Sequence, residues 1–463
     1  MKKVISKKSV LVFATSLVAV VPAFGQRQTP PGGSAPKSFA VPASETYILP
    51  NGFKVTLVPY GIIPKAAVSL AVDAGSLNAG TSHVGVAGLT GDLFREGTAT
   101  LTSQQVAEAT ARMGSALAIP VGEDQTKFEL DVLQESAPDA VRLLADVVEH
   151  PRFPESELGR LKNDALRRIA VLLSEPGTIA DIRFRKLVYG EHPYGTVLPT
   201  EDEIKRVTLK DVQDYYNSNF GAQRSHLYVA GKFDAAAVKN AIAASFRGWT
   251  KGPARIESVP SPASHRVLDV KDRPGAPQST LKLGLPVPPA TSPDAIPLVV
   301  TNALLGGPFN SRITTNIREQ KGYTYSPYSE ISRRYHDGYW VQNADVTTQF
   351  TGASLKEIFS EIDRLQKEAP SAAELKGIQS YLSGIFVIQN SNRQALIAQL
   401  QYVDFQGLGE DYLKNYVPRL NAVTPTDVQK LTQKYIRPEE MIIVVVGDKS
   451  KISDQLVPFQ AGK

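Results

Sequence analysis

The sequence contains no cysteine, and among its 463 residues it has only three methionines and two tryptophans. The lack of cysteine excludes disulfides, thiol catalysis and thiolate metal sites. The Gly-x-Ser-x-Gly nucleophile turn, the Gly-x-x-x-x-Gly-Lys phosphate loop and the Gly-x-Gly-x-x-Gly dinucleotide loop are also absent. No two of the six histidines stand at ligand spacing on one predicted element. The sequence therefore shows no catalytic group of an independent enzyme.

A net charge of either sign is nearly absent once the first 25 residues are set aside. The whole sequence has 51 basic and 46 acidic residues. Four of the basic residues are lysines within residues 1–25, so 47 basic residues remain against 46 acidic ones, a net charge of +1. The sequence therefore gives no reason to expect a nucleic-acid partner or binding to a charged membrane surface.

The apolar run from Ser9 to Val21 follows four lysines within the first eight residues. Small residues at Ala23 and Gly25 then stand where a signal peptidase recognises its site, which predicts a cleaved signal peptide over residues 1–25. The run is too short to span a bilayer comfortably, although an uncleaved N-terminal anchor is the alternative. A lipoprotein anchor is excluded because no cysteine follows. We expect a periplasmic or secreted protein with no integral membrane segment after cleavage.

Two proline-containing stretches divide the remaining chain. Residues 26–44 are rich in Pro, Gly and Ser and predict a flexible linker. Three prolines within ten residues predict an interdomain linker at 251–265. These boundaries predict an N-terminal domain at 45–250 and a C-terminal domain at 266–463.

The two predicted domains share landmarks in the same order. Asp211-Val212-Gln213 precedes a predicted strand that ends in Gly231, and Asp427-Val428-Gln429 precedes one that ends in Gly447, both at an offset of 216 residues. Glu157 and Glu374 correspond at an offset of 217. Matching landmarks at a nearly constant offset indicate a duplicated domain. Each copy mixes predicted strands and helices, so the predicted fold class is α+β.

Local patterns predict individual elements. Strand-like runs on both sides of Asn51-Gly52 predict a β-hairpin. Apolar residues at helical spacing predict one helix around residues 140–148 and another from Leu158 to Leu172.

The stretch from Leu305 to Tyr328 predicts a Gly-Gly loop, an amphipathic helix and an extended aromatic segment. Ile313 and Ile317 share one helical face, Arg318 follows it, and Gly322 ends the helix. The pattern alone is as consistent with an ordinary helix end followed by an ordinary strand as with a functional segment.

Several short motifs are weak singly and specific in combination. They are Gly85-Val86-Ala87, Leu93-Phe94-Arg95-Glu96-Gly97-Thr98, Glu191-His192-Pro193-Tyr194-Gly195, the strand ends at Gly231 and Gly447, and the run from Leu305-Gly306-Gly307 through Ser311-Arg312 to Gly322-Tyr323-Thr324-Tyr325-Ser326. In these motifs the chain resembles the pitrilysin/insulinase superfamily of zinc metallopeptidases, peptidase family M16, in its short two-domain form. The resemblance implies two duplicated domains of the metallohydrolase-like type, each with an antiparallel-rich sheet and helices packed on it.

The resemblance also implies where a zinc site would lie. Members bind zinc through an inverted His-x-x-Glu-His helix and a later glutamate, and the glutamate between the histidines activates water. Here the two histidine positions are Gly88 and Asp92, the general-base position is Gly91, and the distal carboxylate position is Arg168. We therefore expect no zinc or other cofactor in this chain, and no turnover by the chain alone.

Members of the family also use an Arg and a Tyr, seven residues apart in the second domain, to hold the peptide backbone and stabilise the oxyanion. Arg318 and Tyr325 match this pair. In heteromeric bacterial members one chain carries the zinc and the other carries the pair. The resemblance thus implies a zinc-less subunit of a heteromeric periplasmic metallopeptidase, with a homologous zinc-bearing subunit and peptide substrates as partners. A non-catalytic scaffold or peptide-binding protein of the same fold is the alternative, and an active homodimeric protease contradicts the lost ligands.

The replaced zinc positions lead to one structural expectation. Arg168 follows Leu161 on an apolar helical stripe, and Asp92 carries the opposite charge across the same site. We expect a buried Asp92–Arg168 salt bridge in place of the metal, because an unpaired buried charge is very costly. Asp164, four residues before Arg168, is the competing local partner on an exposed face.

Overall fold

A computed structural model describes residues 42–80, 83–255, 257–409 and 411–460, which belong to one compact unit. The predicted signal peptide and nearly all of the predicted linker at 26–44 lie outside these residues. The described residues of the predicted linker at 251–265 contain no helix or strand.

The first half of the chain contains five strands and eight α-helices among the described residues. Its strands are β1 (Glu45–Ile48), β2 (Lys54–Pro59), β3 (Lys65–Val72), β4 (Thr126–Leu133) and β5 (Ser225–Gly231). Its helices are α1 (Val86–Leu93), α2 (Ser103–Arg112), α3 (Ala137–Glu149), α4 (Glu155–Ser174), α5 (Pro176–Tyr189), α6 (Glu201–Arg206), α7 (Leu209–Asn219) and α8 (Ala235–Phe246). The predicted hairpin is formed by β1 and β2, in which Ile48 pairs with Lys54.

The second half repeats this mixture of strands and helices. Its strands are β6 (Val267–Asp272), β7 (Gln278–Pro286), β8 (Tyr328–Arg334), β9 (Asp337–Thr347) and β10 (Ile442–Gly447). Its helices are α9 (Ala295–Leu305), α10 (Arg312–Thr314), a π-helix (Thr315–Gln320), α11 (Thr351–Lys367), α12 (Ala372–Gln389), α13 (Arg393–Phe405), α14 (Tyr412–Asn421), α15 (Pro425–Tyr435) and α16 (Lys449–Leu456).

Each half forms its own five-stranded sheet. The strand order is β1-β2-β5-β3-β4 in the first sheet and β6-β10-β7-β9-β8 in the second. The four-strand core is the same in both: β2-β5-β3-β4 corresponds to β6-β10-β7-β9, with one parallel pair followed by two antiparallel pairs. The predicted duplication into two mixed, mainly antiparallel domains is therefore confirmed.

Identical capping at corresponding helices also shows the duplication. Thr208 caps α7 by accepting a hydrogen bond from the Asp211 backbone N–H, and Thr424 caps α15 in the same way with Asp427. In both cases the Asp carboxylate accepts a hydrogen bond from the backbone N–H of the capping threonine, which completes a capping box. Both helices then lead into the central strand of the sheet, β5 or β10, which is one member of the parallel pair.

One helix of each half packs on the sheet of the other half. Helix α5 of the first half packs on β7 and β10 of the second sheet, and its Phe184 also meets Tyr339 of β9 edge to face with ring centroids 5.3 Å apart. Helix α13 of the second half packs on β3 and β5 of the first sheet, where Leu396 and Ile397 are buried. The two domains are thus covered by each other's helices, in addition to being joined by the segment at 251–265.

Candidate functional site

The four positions expected at a zinc site lie on two helices that pack together. Gly88, Gly91 and Asp92 are on α1, and Arg168 is on α4. Helix α1 is held in the first core by Leu89 and Leu93, and α4 by a buried stripe that includes Leu161 and Ile169. The fold therefore brings residues 76 positions apart to one place.

The predicted salt bridge between Asp92 and Arg168 is confirmed. Arg168 Nη2 donates to Asp92 Oδ2 at 2.6 Å, and Arg95 Nη1 donates to Asp92 Oδ1 at 3.2 Å. The competing partner, Asp164, is bound instead by Arg160 and Arg167.

The predicted burial of this bridge is wrong. The Arg168 side chain is 56% exposed, while that of Asp92 is 16% exposed. The buried stripe of α4 runs through Leu161, Ala165 and Ile169 at intervals of four residues, and Arg168 lies beside it. A long arginine at the edge of a stripe can keep its head group in water, so no full burial cost arises.

These four positions do not fit a zinc ion. Two are glycines, one is a guanidinium, and the single carboxylate, Asp92, already accepts bonds from two arginines. Zinc in proteins needs three or four nitrogen, sulfur or oxygen ligands. Across the described ranges no group of three or more His, Asp or Glu side chains could hold a metal ion.

The two glycines of α1 have different surroundings. A Cβ at Gly91 would lie 2.3 Å from Val121 Cγ2, so Val121 fills the space of the former general-base position. A Cβ at Gly88 would meet no atom within 4 Å. Gly88 borders a cavity of about 440 Å³ between α1, α4 and residues 196–199, which we call the Gly88 cavity.

The predicted helix of the 305–328 stretch is real but has a different geometry. After one α-turn at Arg312–Thr314 the backbone continues as a π-helix through Arg318, in which the Lys321 N–H bonds to the Asn316 carbonyl five residues back. Gly322 has φ of 67°, which ends the helix as predicted. Short π-helices recur at functional sites because they re-aim side chains.

Buried polar contacts fix this π-helix to its neighbours. Asn316 Nδ2 donates to Glu361 Oε1 at 2.8 Å on α11, and Arg312 binds both oxygens of Glu374 on α12 at 2.7 and 2.9 Å. Ile313 and Ile317 are fully buried, as their spacing predicted. The backbone that carries Arg318 is therefore held by both apolar and ionic contacts.

Arg318 and Tyr325 are brought together by the structure. The Arg318 guanidinium carbon lies 5.2 Å from the Tyr325 ring centroid and 4.5 Å from that of Phe309, so the cation contacts two aromatic rings. Tyr325 is 77% exposed and Phe309 is 65% exposed. Phe309 was missed by the sequence analysis, because a loop aromatic nine residues before an arginine gives no periodic signal.

A second cavity lies between the two halves beside this segment. It has a volume of about 470 Å³ and is lined by Ser326 and Tyr328 with residues of α5, β7 and β9; we call it the Tyr328 cavity. Burial, and then the charges of Glu330, Asp181 and Asp345, raise the pKa of Tyr328. The Tyr328 cavity adjoins the Gly88 cavity, because Leu172, Val197 and Leu198 line both.

The Asp92–Arg168 pair and the Arg318–Tyr325 pair remain separate. No hydrogen bond, ion pair or ring contact between described residues joins one pair to the other. This chain therefore combines an ion pair at the expected metal position with an Arg–Tyr pair whose tyrosine is exposed.

Two family descriptions match this chain. Residues 61–197 match "Insulinase (Peptidase family M16)", and residues 206–382 match "Peptidase M16 inactive domain". Together the matches span most of both halves, and the chain belongs to the M16 superfamily. The predicted family is thus confirmed.

Among curated proteins, the chain is similar to proteins named as uncharacterized zinc proteases. It is 25% identical to YmxG of Bacillus subtilis over 74% of this chain and 83% of the relative. A protein of Rickettsia bellii is 24% identical over 87% of this chain and 91% of the relative.

Solved structures share the fold. A structure described as the peptidase M16 inactive domain from Pseudomonas fluorescens superposes with a TM-score of 0.80 at 24% identity, over 87% of this chain and 98% of that one. A protease from Helicobacter pylori superposes with a TM-score of 0.82 at 18% identity, over 88% and 100%. At these identities the likeness shows the fold alone. None of the helices in the described ranges is long and apolar enough to cross a membrane.

Proposed function

We propose that this chain is the zinc-less subunit of a heteromeric, periplasmic or secreted M16 peptidase, and that it acts on peptides together with a homologous zinc-bearing subunit. One observation carries the proposal: the zinc positions hold two glycines and an Asp92–Arg168 ion pair, while a half-buried Arg318 contacts the ring of an exposed Tyr325. The chain has thus lost the metal-binding half of the family's site and kept the substrate-facing half.

The Arg318–Tyr325 pair has the chemistry that this role needs. A guanidinium has five N–H donors and can bind peptide carbonyls, and a phenol O–H can donate to an oxygen that gains negative charge. Donors fixed in advance stabilise such charge most effectively. Arg318 contacts the Phe309 and Tyr325 rings, and its Nη1 lies 3.0 Å from Glu319 Oε1, so the guanidinium has these contacts before any peptide arrives.

The relatives and the N-terminal sequence support the same proposal. The curated relatives are named zinc proteases, and a solved structure with the same fold is described as an inactive domain. The family therefore includes proteins named in both ways. The lysines and the apolar run within residues 1–25 support export, with cleavage after Gly25. The exported chain would contain no disulfide, because the sequence has no cysteine, and we propose that it carries no zinc of its own.

Reconstitution with a zinc-bearing M16 homologue from the same genome tests the proposal. The purified chain alone should bind no stoichiometric zinc and show no chelator-sensitive hydrolysis of extended peptides. Adding it to the zinc-bearing homologue should raise that hydrolysis until the two chains are present in a fixed ratio. Chelator-sensitive turnover by the isolated chain would contradict the proposal, and a complex whose turnover is unchanged would identify a scaffold instead.

A further inference from the structure

The Gly88 cavity has the size and surface of a binding pocket for an apolar group. Its volume of about 440 Å³ lies within the range of small-ligand pockets. Most of the surrounding side chains are aliphatic, among them Leu89, Ile169, Leu172, Val197 and Ile204. The expected metal position of this chain therefore borders a mainly apolar pocket.

Gly88 leaves the pocket open, although nothing in the geometry of α1 requires glycine at this position. Gly88 lies inside α1, where glycine stabilises a helix less than alanine does. No atom stands within 4 Å of the place its Cβ would occupy, so a larger residue would fit and would fill the pocket. Gly91 on the same helix, by contrast, is closed off by Val121.

One cation at the pocket is available to an anion. Arg168 lines the cavity, and among described residues its one hydrogen-bond partner is Asp92, which takes one of five N–H donors. Asp92 is shared with Arg95, so the group of three carries a net charge of +1. Glu123, the one carboxylate that lines the cavity, is bound by Arg185 and Arg334.

The adjoining Tyr328 cavity suits the polar backbone of a peptide. Asn343 lines it, and its buried Nδ2 has no hydrogen-bond partner among the described residues. The exposed Ser326 also lines this cavity, and its hydroxyl can donate to a peptide carbonyl. Lys282 and Asp181, which pair at 3.1 Å, line the same cavity.

We propose that these two cavities bind the C-terminal end of an extended peptide. The last side chain, an aliphatic one, enters the Gly88 cavity, and the α-carboxylate binds Arg168. The preceding residues cross Leu172 and Leu198 into the Tyr328 cavity, where the Ser326 hydroxyl donates to a backbone carbonyl. This site goes beyond the proposed function, because it needs neither a zinc-bearing subunit nor the Arg318–Tyr325 pair.

Fluorescence anisotropy of the isolated chain tests the ligand class. The probe is an N-terminally fluorescein-labelled octapeptide of alternating alanine and serine that ends in leucine. The free acid of this peptide should bind at least tenfold more tightly than its C-terminal amide. It should also bind at least tenfold more tightly than the free acid of the same peptide ending in glutamate. Equal affinity of the acid and the amide would overturn the proposal. So would decanoate binding at the cavity while the peptide does not bind, which would indicate a fatty-acid site.

Variants test the location. Gly88→Leu should fill the pocket, and Arg168→Gln should remove the cation, each weakening the acid peptide at least tenfold. Arg167→Gln is the matched control, because Arg167 is the neighbouring arginine on α4, pairs with Asp164 and does not line the cavity. Gly88→Leu should keep the circular dichroism spectrum of the parent chain and should not lower its melting temperature. Unchanged binding in Gly88→Leu, or an equal loss in Arg167→Gln, would overturn the proposal.

Discussion

At the scale of single residues, Asp92 and Arg168 show how a metal position can become an ion pair. Asp92 and Arg168 stand at two of the positions expected to bind one metal ion, and Arg168 Nη2 lies 2.6 Å from Asp92 Oδ2. Their opposite charges need no ion between them. The pair lies at the protein surface on the Arg168 side, so its stabilising effect is limited by solvent.

The exposed geometry predicts a small effect on stability. Asp92→Ala should lower the free energy of unfolding by about 1 kcal/mol, and the coupling between Asp92→Ala and Arg168→Ala should be about 0.2–1 kcal/mol. Urea unfolding of the two single variants and the double variant measures this coupling. A coupling of about 3–5 kcal/mol would show instead a fully buried pair.

At the scale of elements, α1 contains a matched pair of test sites. Gly88→Ala should stabilise the protein by about 0.5–1 kcal/mol, because alanine favours the helix and the new Cβ meets open space. Gly91→Ala should instead cost about 1–3 kcal/mol through overpacking against Val121. Chemical denaturation of both variants gives the comparison.

The Gly91 cost should depend on Val121. When Gly91→Ala is made together with Val121→Ala, the added penalty over Val121→Ala alone should disappear, because the contacted methyl group is gone. An equal penalty in both backgrounds would show that the contact is not its cause. Restoring a glutamate at position 91 would meet the same obstacle.

Much of the element structure could be predicted from the sequence. The hairpin at Asn51-Gly52 and helices α3 and α4 follow from local turn chemistry and apolar spacing, which act over a few residues. Leu172 was expected on the α4 stripe, yet it is 41% exposed and lines both cavities. Residue spacing predicts which side chains lie on one face of the helix. It does not predict how far along that face other elements pack against it.

Other features depend on contacts that no local pattern contains. The π-helix at Thr315–Gln320 is tied to α11 by Asn316, and the Phe309 ring reaches Arg318 across a loop. No local pattern indicates that α5 and α13 each pack on the sheet of the other half. The choice of sheet is set by tertiary packing.

At the scale of the whole molecule, helices α5 and α13 connect the two halves, because each packs on the sheet of the other half. A buried histidine belongs to one of these contacts: His226 on β5 bonds through Nδ1 to Asp404 on α13 at 3.0 Å and through Nε2 to Thr56 at 2.8 Å. Burial, which outweighs the bond to Asp404, lowers the pKa of His226 below its ordinary value. The histidine is therefore held neutral where α13 docks.

This histidine predicts a pH-dependent stability. A histidine whose folded pKa is lowered stabilises the fold above its unfolded pKa of about 6.5 and loses that effect as the pH falls toward the folded pKa. His226→Gln should be less stable than the parent at pH 7.5, and the difference should shrink at pH 5.5. Urea unfolding at both pH values measures it, with His265→Gln, a change at an exposed histidine, as control. A constant difference between parent and His226→Gln would argue against a neutral buried histidine.

The central claim is that this chain supplies Arg318 and Tyr325 to a peptide cleaved in a complex with a zinc-bearing homologue. Tyr325 is largely exposed and packs on no core, so Tyr325→Phe leaves the fold intact and removes only the phenol O–H. Tyr381→Phe, a change at another exposed tyrosine in the same half, is the matched control.

The most direct test is therefore kcat of the reconstituted complex with each variant, measured beside the subunit affinity. We predict that Tyr325→Phe lowers kcat by about 10²–10³-fold without weakening subunit association, as loss of one oxyanion donor does, and that Tyr381→Phe changes neither quantity. An unchanged kcat in Tyr325→Phe would contradict the claim and leave the pair a structural contact.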